Sequence, residues 1–137
     1  MSVENVEIIR RGYALFAAGD FQAVTALLSD DIEVTDSAGL GVTGSAAGIR
    51  YGHEGFLRST EEALEAFEDF QVEPEDFIDA GDTVVVPVRI SGRGRGSGME
   101  MDIRLAHLWV LRSDGKVARS QVYETTDEAL EAAGLRE

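Results

Sequence analysis

The stretch GDFQAVTALLSDDIEVTD, residues 19–36, joins a helix pattern directly to a strand pattern and decides the fold. Asp20 is a residue type that caps helix N-termini, and the apolar residues after it repeat at helical spacing. Those apolar residues are Phe21, Val24, Leu27 and Leu28. The polar residues 29–31 are predicted to end this helix. Apolar and polar side chains then alternate over 32–35, which predicts a strand with one buried face that stops near the carboxylate of Asp36.

Helices are predicted on both sides of this stretch. Apolar residues between Val6 and Ala18 fall on one helical face, and Gly19 can take the left-handed conformation that ends a helix. A glycine-rich loop is predicted over Ser37–Gly52, before a third helix that begins at Gly52 or His53. The residues that this helix is predicted to bury are Phe56, Leu57, Thr60, Ala63, Leu64 and Phe67.

Strand patterns follow one another through the C-terminal half of the chain. They cover Phe70–Pro74, Phe77–Asp79, Thr83–Ile90, Met99–Leu111 and Val117–Tyr123. Short polar or glycine-containing turns between them predict antiparallel hairpins. Thr125 and Glu128 have the spacing of a capping box, which predicts a short final helix through Ala133. The order of elements predicts an α+β fold, in which a curved antiparallel sheet packs around three N-terminal helices.

Length and composition limit the functional classes. The 137 residues fit a single domain over 1–137, and 44% of them are apolar, as in water-soluble globular proteins. A net charge of −14 disfavours nucleic acid and anionic lipid as partners. The absence of cysteine excludes disulfides, thiol nucleophiles and thiolate metal sites. Because neither a membrane-spanning run nor a signal-like N-terminus is visible, we expect a cytoplasmic protein.

The strand pattern over 101–111 has two apolar faces. One face carries Met101, Ile103, Leu105, His107, Trp109 and Leu111. The opposite face carries Ala106, Leu108 and Val110. One face can pack on the helices, and the other then needs a cover, for which a second subunit's sheet is the simplest source. We therefore predict a homodimer through the sheet face.

Six short motifs occur in order along nearly the whole chain. They are Tyr13-Ala-Leu-Phe-Ala-Ala-Gly-Asp20, Leu28-Ser-Asp-Asp-Ile-Glu-Val-Thr-Asp36, Tyr51-Gly-His-Glu-Gly55, Ala80-Gly-Asp82, Leu105-Ala-His-Leu-Trp109 and Asp114-Gly-Lys116. Together they resemble the SnoaL-like branch of the nuclear transport factor 2-like superfamily, which includes ketosteroid isomerases and polyketide cyclases. The resemblance implies a conical fold that encloses an apolar pocket, usually in a dimer. It implies no single reaction, because this fold carries enzymes and non-catalytic binders alike.

Asp36 resembles the general base of the ketosteroid isomerases, because it follows the Asp-Asp pair at the same spacing. In an apolar pocket, desolvation would raise the pKa of this carboxyl and let it move a proton beside a carbonyl. The alternative is that Asp36 starts an ordinary turn with the Ser-Ala-Gly that follows it.

His107 is the second candidate catalytic residue, since it lies mid-strand among apolar residues where a polar group needs a partner. Counted back from Lys116, it falls where the isomerases place a protonated carboxylic acid that donates to the enolate oxygen. A neutral imidazole N–H can donate in the same way. The alternative is a structural histidine, satisfied by a backbone carbonyl or by Tyr123.

Aromatic residues are expected to line the pocket and bind the substrate. They are Tyr13, Phe16, Tyr51, Phe56, Trp109 and Tyr123. Such residues also serve as ordinary core. The two histidines, His53 and His107, lie far apart in the sequence and give no metal-ligand spacing, so we expect neither a metal nor a cofactor.

Two departures separate this chain from the enzymes it resembles. The isomerases place an oxyanion-binding tyrosine on the first helix at the position of Gly12, and Tyr13 comes one residue later, turned by about 100°. The cyclases place an aspartate on the last strand, where this chain has residues 120–123, Ser-Gln-Val-Tyr. Two hypotheses remain: proton transfer beside the carbonyl of a small apolar molecule, or a non-catalytic ligand-binding or dimerisation module.

Overall fold

The computed structural model describes residues 2–35 and 49–135. The four helices of this part of the chain are α1 (Ser2–Ala17), α2 (Phe21–Thr25), α3 (Gly52–Ala66) and α4 (Thr126–Ala132). The strands are β1 (Leu28–Thr35), β2 (Ile49–Tyr51), β3 (Phe67–Pro74), β4 (Ile78–Asp79), β5 (Thr83–Gly94), β6 (Glu100–Leu111) and β7 (Val117–Tyr123). None of the helices within these described ranges is long and apolar enough to cross a membrane.

Side-chain caps fix the ends of two helices where the sequence predicts them. The Asp20 carboxylate accepts a hydrogen bond from the backbone N–H of Ala23, at 3.2 Å, and thereby caps α2. At α4 the Thr125 hydroxyl accepts from the Glu128 N–H at 3.1 Å, while the Glu128 carboxylate accepts from the Thr125 N–H. Both predictions, the cap of α2 and the capping box of α4, are confirmed.

The strands form one curved, unclosed sheet in the order β2-β1-β7-β6-β5-β3, with β4 paired to β5. The pairs β3–β5, β5–β6 and β6–β7 are antiparallel, as predicted. The pair β1–β7 is parallel, so the sheet is mixed. The sheet differs from the predicted antiparallel sheet because β7 also pairs with β1 and runs in the same direction as β1. The fold is α+β, as predicted.

Several boundaries differ from the sequence prediction; for example, α2 ends before Leu27 and Leu28, and β5 extends beyond Ile90 to Gly94. The polar residues 29–31 belong to β1, because the pairing of Leu28 with Val117 extends the strand backwards. Residues 49–51, predicted as loop, form the edge strand β2 against β1. Phe67 begins β3 and does not end α3. The alternation seen in 32–35 was too short to reveal where β1 begins.

The principal core lies between the inner face of the sheet and the N-terminal helices. Its most buried members on the sheet are Ile32, Val84, Val86 and Val88, each fully inaccessible to solvent. Ile9 and Tyr13 of α1 pack against them. The inner face of β6 contributes Leu105, Trp109 and Leu111, which is the face predicted to meet the helices.

The outer face of β5 and β6 is covered by α4. Val85, Ala106 and Leu108 form a second buried cluster with Ala129 of α4. The sequence predicted that a second subunit would cover Ala106, Leu108 and Val110, but α4 of the same chain already packs there. This correction removes the reason for which the dimer was predicted.

Candidate functional site

A cavity of about 160 Å³ opens between the inner face of the sheet and the first three helices. Most of its lining is apolar, with contributions from α1, α2, α3 and five strands. An engineered cavity of about 150 Å³ with such a lining binds benzene. The cavity is therefore large enough for a ring-sized apolar group.

The polar centre of this cavity is a hydrogen-bonded chain of three side chains. The Tyr13 hydroxyl of α1 lies 2.6 Å from Nδ1 of His107 on β6. The indole N–H of Trp109 donates to the same Tyr13 oxygen at 2.9 Å. His107 and Trp109 lie two residues apart on one strand, so their side chains point to the same face. We refer to Tyr13, His107 and Trp109 as the polar triad.

Ring packing holds the Tyr13 side chain in place. Its ring meets the Trp109 ring edge to face, with centroids 6.0 Å apart and an interplanar angle of 85°. The Phe77 ring makes a similar contact from another direction, with centroids 5.9 Å apart at 75°. Edge-to-face contacts of this kind stabilise a pair beyond the area that they bury. The Tyr13 hydroxyl is therefore fixed towards His107.

Both titratable members of the triad are neutral at pH 7. Burial lowers the pKa of His107 from its ordinary value of 6.5 to about 4, because the protein around the ring disfavours its charged form. Burial also raises the pKa of the Tyr13 hydroxyl well above its usual range, against the smaller opposing effect of the Trp109 hydrogen bond. The triad can thus donate and accept hydrogen bonds but carries no net charge.

The structure brings together four of the six predicted lining aromatics. Tyr13, Phe16, Phe56 and Trp109 line the cavity, as does His107. The other two, Tyr51 and Tyr123, were predicted to line the cavity but lie elsewhere. Tyr51 lies on the edge strand β2 and is 65% exposed. Tyr123 pairs with Ala106, so the strand alternation turns it to the outer face with the α4 cluster.

Asp36, the predicted base, lies outside the described residues. The residue before it, Thr35, lines the cavity at the end of β1.

The role of Tyr13 goes beyond what its position in the sequence suggested. The sequence assigned it only to the lining, because the isomerase position is Gly12 and Tyr13 is offset around the helix. Gly12 also lines the cavity, and the Tyr13 hydroxyl still reaches His107. One signal in the sequence could have revealed this: a buried tyrosine hydroxyl needs a partner, and a mid-strand histidine needs one too.

The sequence also missed the polar residues that line the cavity. They are Thr35, Ser59, Thr60, Ser120 and Gln121. The hydroxyl oxygen of Ser59 is buried and has no hydrogen-bond partner among the described residues. Within the described ranges, no group of three or more His, Asp or Glu side chains could hold a metal ion.

A sequence model of the SnoaL-like domain matches residues 9–120 of this chain. The chain belongs to the SnoaL-like family. Among curated proteins no relative matches at a significant level.

Solved structures of similar fold cover almost the whole of this SnoaL-like chain. A nuclear transport factor 2-like protein from Burkholderia thailandensis is 27% identical with a TM-score of 0.78, and the match covers 92% of this chain and 96% of that one. TerC, co-crystallised with polyporic acid, is 26% identical with a TM-score of 0.75, covering 96% and 98%. Rv0760c from Mycobacterium tuberculosis, in complex with estradiol-17beta-hemisuccinate, is 17% identical with a TM-score of 0.74, covering 90% and 95%. The fold is therefore that of the nuclear transport factor 2-like proteins.

Proposed function

We propose that this protein binds a small apolar molecule in the cavity and catalyses proton transfer next to its carbonyl group. The observation that carries the proposal is the polar triad, a neutral hydrogen-bonding centre inside a mostly apolar cavity. Apolar walls with a few placed polar groups are the usual form of a small-molecule site. His107 is the proposed donor to the carbonyl oxygen, and Asp36 is the proposed base.

The proposed step is an enolisation. The Asp36 carboxylate takes a proton from the carbon next to the carbonyl, and the electron pair of that C–H bond forms the enolate double bond. Negative charge then develops on the carbonyl oxygen, where the neutral His107 N–H donates a hydrogen bond. The protonated Asp36 returns a proton to the enolate carbon or to a second carbon, so the protein is unchanged.

Two kinds of support accompany the proposal. Thr35 lines the cavity, and Asp36 is the next residue in the chain. Proteins of the same fold have been crystallised with polyporic acid and with estradiol-17beta-hemisuccinate, and a putative polyketide cyclase from Sinorhizobium meliloti is a further structural neighbour.

The test is hydrogen exchange at carbon. We expect the protein to bind 1-indanone, a neutral apolar ketone, and to exchange its α-hydrogens in deuterium oxide faster than buffer does, as measured by mass spectrometry. Asp36→Asn should retain binding and lose the exchange. Loss of the donor in His107→Leu should slow the exchange by about 10²–10³-fold.

The matched control is Glu33→Gln. It removes the same charge from an exposed residue of the strand that precedes Asp36, so it should leave exchange unchanged. Exchange that is undiminished in Asp36→Asn would contradict the proposed base. Binding without any exchange in the wild type would favour the alternative, a non-catalytic ligand-binding module.

We also retain a homodimer through the sheet face as a proposal. The part of the outer face that α4 leaves open carries ion pairs, including Arg89 with Asp102 at 2.6 Å and Arg104 with Glu75 at 3.2 Å. An interface there would be polar, so salt should weaken the dimer. Light scattering of the purified protein at two salt concentrations measures the molecular mass and hence the fraction of dimer.

A further inference from the structure

We propose that Tyr13 is a positioning residue: it keeps the proton of His107 on Nε2, so that the cavity offers a hydrogen-bond donor and selects ligands that carry an acceptor. This inference rests on the proposed function for the site, but the protonated nitrogen of His107 can be determined without any ligand. Two distances carry it, from the Tyr13 oxygen to His107 Nδ1 and to Trp109 Nε1.

Trp109 sets the direction of the hydrogen bonds within the polar triad. An indole N–H can donate a hydrogen bond and cannot accept one, so the Tyr13 oxygen is the acceptor in this pair. A phenolic oxygen that accepts one bond still has its own O–H proton to donate.

His107 Nδ1 is the partner that remains. If Tyr13 donates to Nδ1, the Tyr13 hydroxyl and Nδ1 are both satisfied, and the imidazole proton must be on Nε2. If Nδ1 carried the proton, it would donate to a tyrosine oxygen that already accepts from Trp109. The Tyr13 O–H would then have no acceptor among the described residues, although Tyr13 is only 9% exposed. Buried hydroxyls rarely lack a partner.

Nε2 of His107 is the atom left for a ligand. His107 lines the cavity, and Nε2 has no hydrogen-bond partner in the described part of the chain. No lysine or arginine is among the described lining residues, so no cation is present there to pair with a carboxylate. The ligand class that fits is a neutral apolar molecule with an accepting oxygen or nitrogen, above all a ketone.

Nitrogen-15 spectra of the ligand-free protein test the tautomer. The chain has two histidines, so a His53→Gln spectrum assigns the signals of His107. At neutral pH we expect Nε2 to show the shift of a protonated nitrogen and Nδ1 that of an unprotonated one. In Tyr13→Phe the two shifts should move towards each other as both tautomers become populated. A protonated Nδ1 in the wild type would overturn the proposal, as would an unchanged spectrum in Tyr13→Phe.

The control for Tyr13→Phe is Tyr51→Phe, which removes a phenol from an exposed residue outside the cavity. Its His107 signals should match those of the wild type. Trp109→Phe should move the signals in the same direction as Tyr13→Phe but less, because Tyr13 keeps its proton and loses only its donor.

Three bicyclic probes of similar size test the ligand class. They are indane, which has no polar group, 1-indanone, which only accepts, and indole, which only donates. In the wild type we expect 1-indanone to bind about threefold to tenfold more tightly than either of the others. Tyr13→Phe should remove the preference for 1-indanone over indole, because Nε2 then also accepts.

The tautomer of His107 and the ligand class of the cavity are tested separately. If none of the probes binds, the proposed function fails for ligands of this size, while the nitrogen-15 spectra still decide the tautomer. If 1-indanone binds no better than indole in the wild type, the selection of acceptors is overturned even where the tautomer is as proposed.

Discussion

The inner and outer faces of the same two strands, β5 and β6, differ in how completely they are packed. On the outer face Val85, Ala106 and Leu108 are at most 3% exposed and are sealed by α4. On the inner face the same strands border a cavity, and β6 carries two members of the polar triad, His107 and Trp109. Since successive side chains of a strand point to opposite faces, residue parity alone assigns each position to one face. The part of the outer face under α4 is therefore packed without a gap, whereas the inner face combines core packing at Val84, Val86 and Val88 with the border of the site.

The largest effect is expected from truncating a buried residue of the outer face, which α4 covers. Leu108→Ala should lower the free energy of unfolding by about 2–5 kcal/mol, because it opens a void in a filled cluster. The paired variant is Leu28→Ala, which removes the same atoms from a similarly buried residue that already borders the cavity. This variant should lower the free energy of unfolding by less than Leu108→Ala does. Equal losses of free energy in urea unfolding would contradict the difference between the filled cluster and the border of the cavity.

A loss of stability at low pH is expected from His107 on the inner face. Unfolded His107 takes up a proton below its ordinary pKa of 6.5, whereas the folded residue stays neutral down to a pKa of about 4. Falling pH between these values therefore favours the unfolded state, by at most about 3 kcal/mol.

The free energy of unfolding, measured from pH 7 to pH 4 in the wild type and in His107→Gln, isolates this effect. Both proteins share the titration of the carboxylates, so the difference between their curves belongs to His107. Parallel curves would show that the histidine titrates alike in both states.

A smaller effect is expected at the bulge in β3. Asp69 has a φ of 53°, in the left-handed region, where the register of β3 against β5 shifts between Glu68 and Gln71. The bulge brings Phe70 to the cavity. Asp69→Val should lower the free energy of unfolding by about 1–2 kcal/mol, because a β-branched residue resists this conformation. Asp69→Gly is the control and should show no such loss in urea unfolding.

The smallest effect is expected from Trp109→Phe. The phenyl ring keeps the packing against Tyr13 but removes the indole N–H, which should cost about 0.5–1.5 kcal/mol in the free energy of unfolding. A double-mutant cycle checks the cause, since the loss should largely disappear in a Tyr13→Phe background. An additive loss would mean that the indole acts through packing alone.

What the sequence could predict depended on how far apart the interacting residues lie. The helix caps at Asp20 and Thr125 are visible because each partner lies three residues away. The two faces of β6 are visible from alternation alone. The start of β1 was missed because it depends on Val117, far along the chain.

The candidate site divides in the same way. His107 and Trp109 could be placed on one inward face from their spacing. Of the six aromatic residues predicted to line the cavity, the four that line it lie on inward faces. The bond between Tyr13 and His107 spans 94 positions, so no local pattern contains it. Tyr123 was misplaced because the parity of β7 relative to β6 depends on a register that only the folded sheet defines.

The parallel pairing of β1 with β7 also has a consequence for the order of folding during synthesis. β1 leaves the ribosome before the hairpins of the sheet, but its neighbour β7 begins only at Val117, after all the other strands. The nascent chain must hold β1 unpaired on that side while the hairpins between them emerge. Contacts so distant in sequence slow folding, and they expose strand edges in the meantime. The three exposed acidic residues of β1, Asp30, Asp31 and Glu33, would discourage that edge from pairing with another nascent chain.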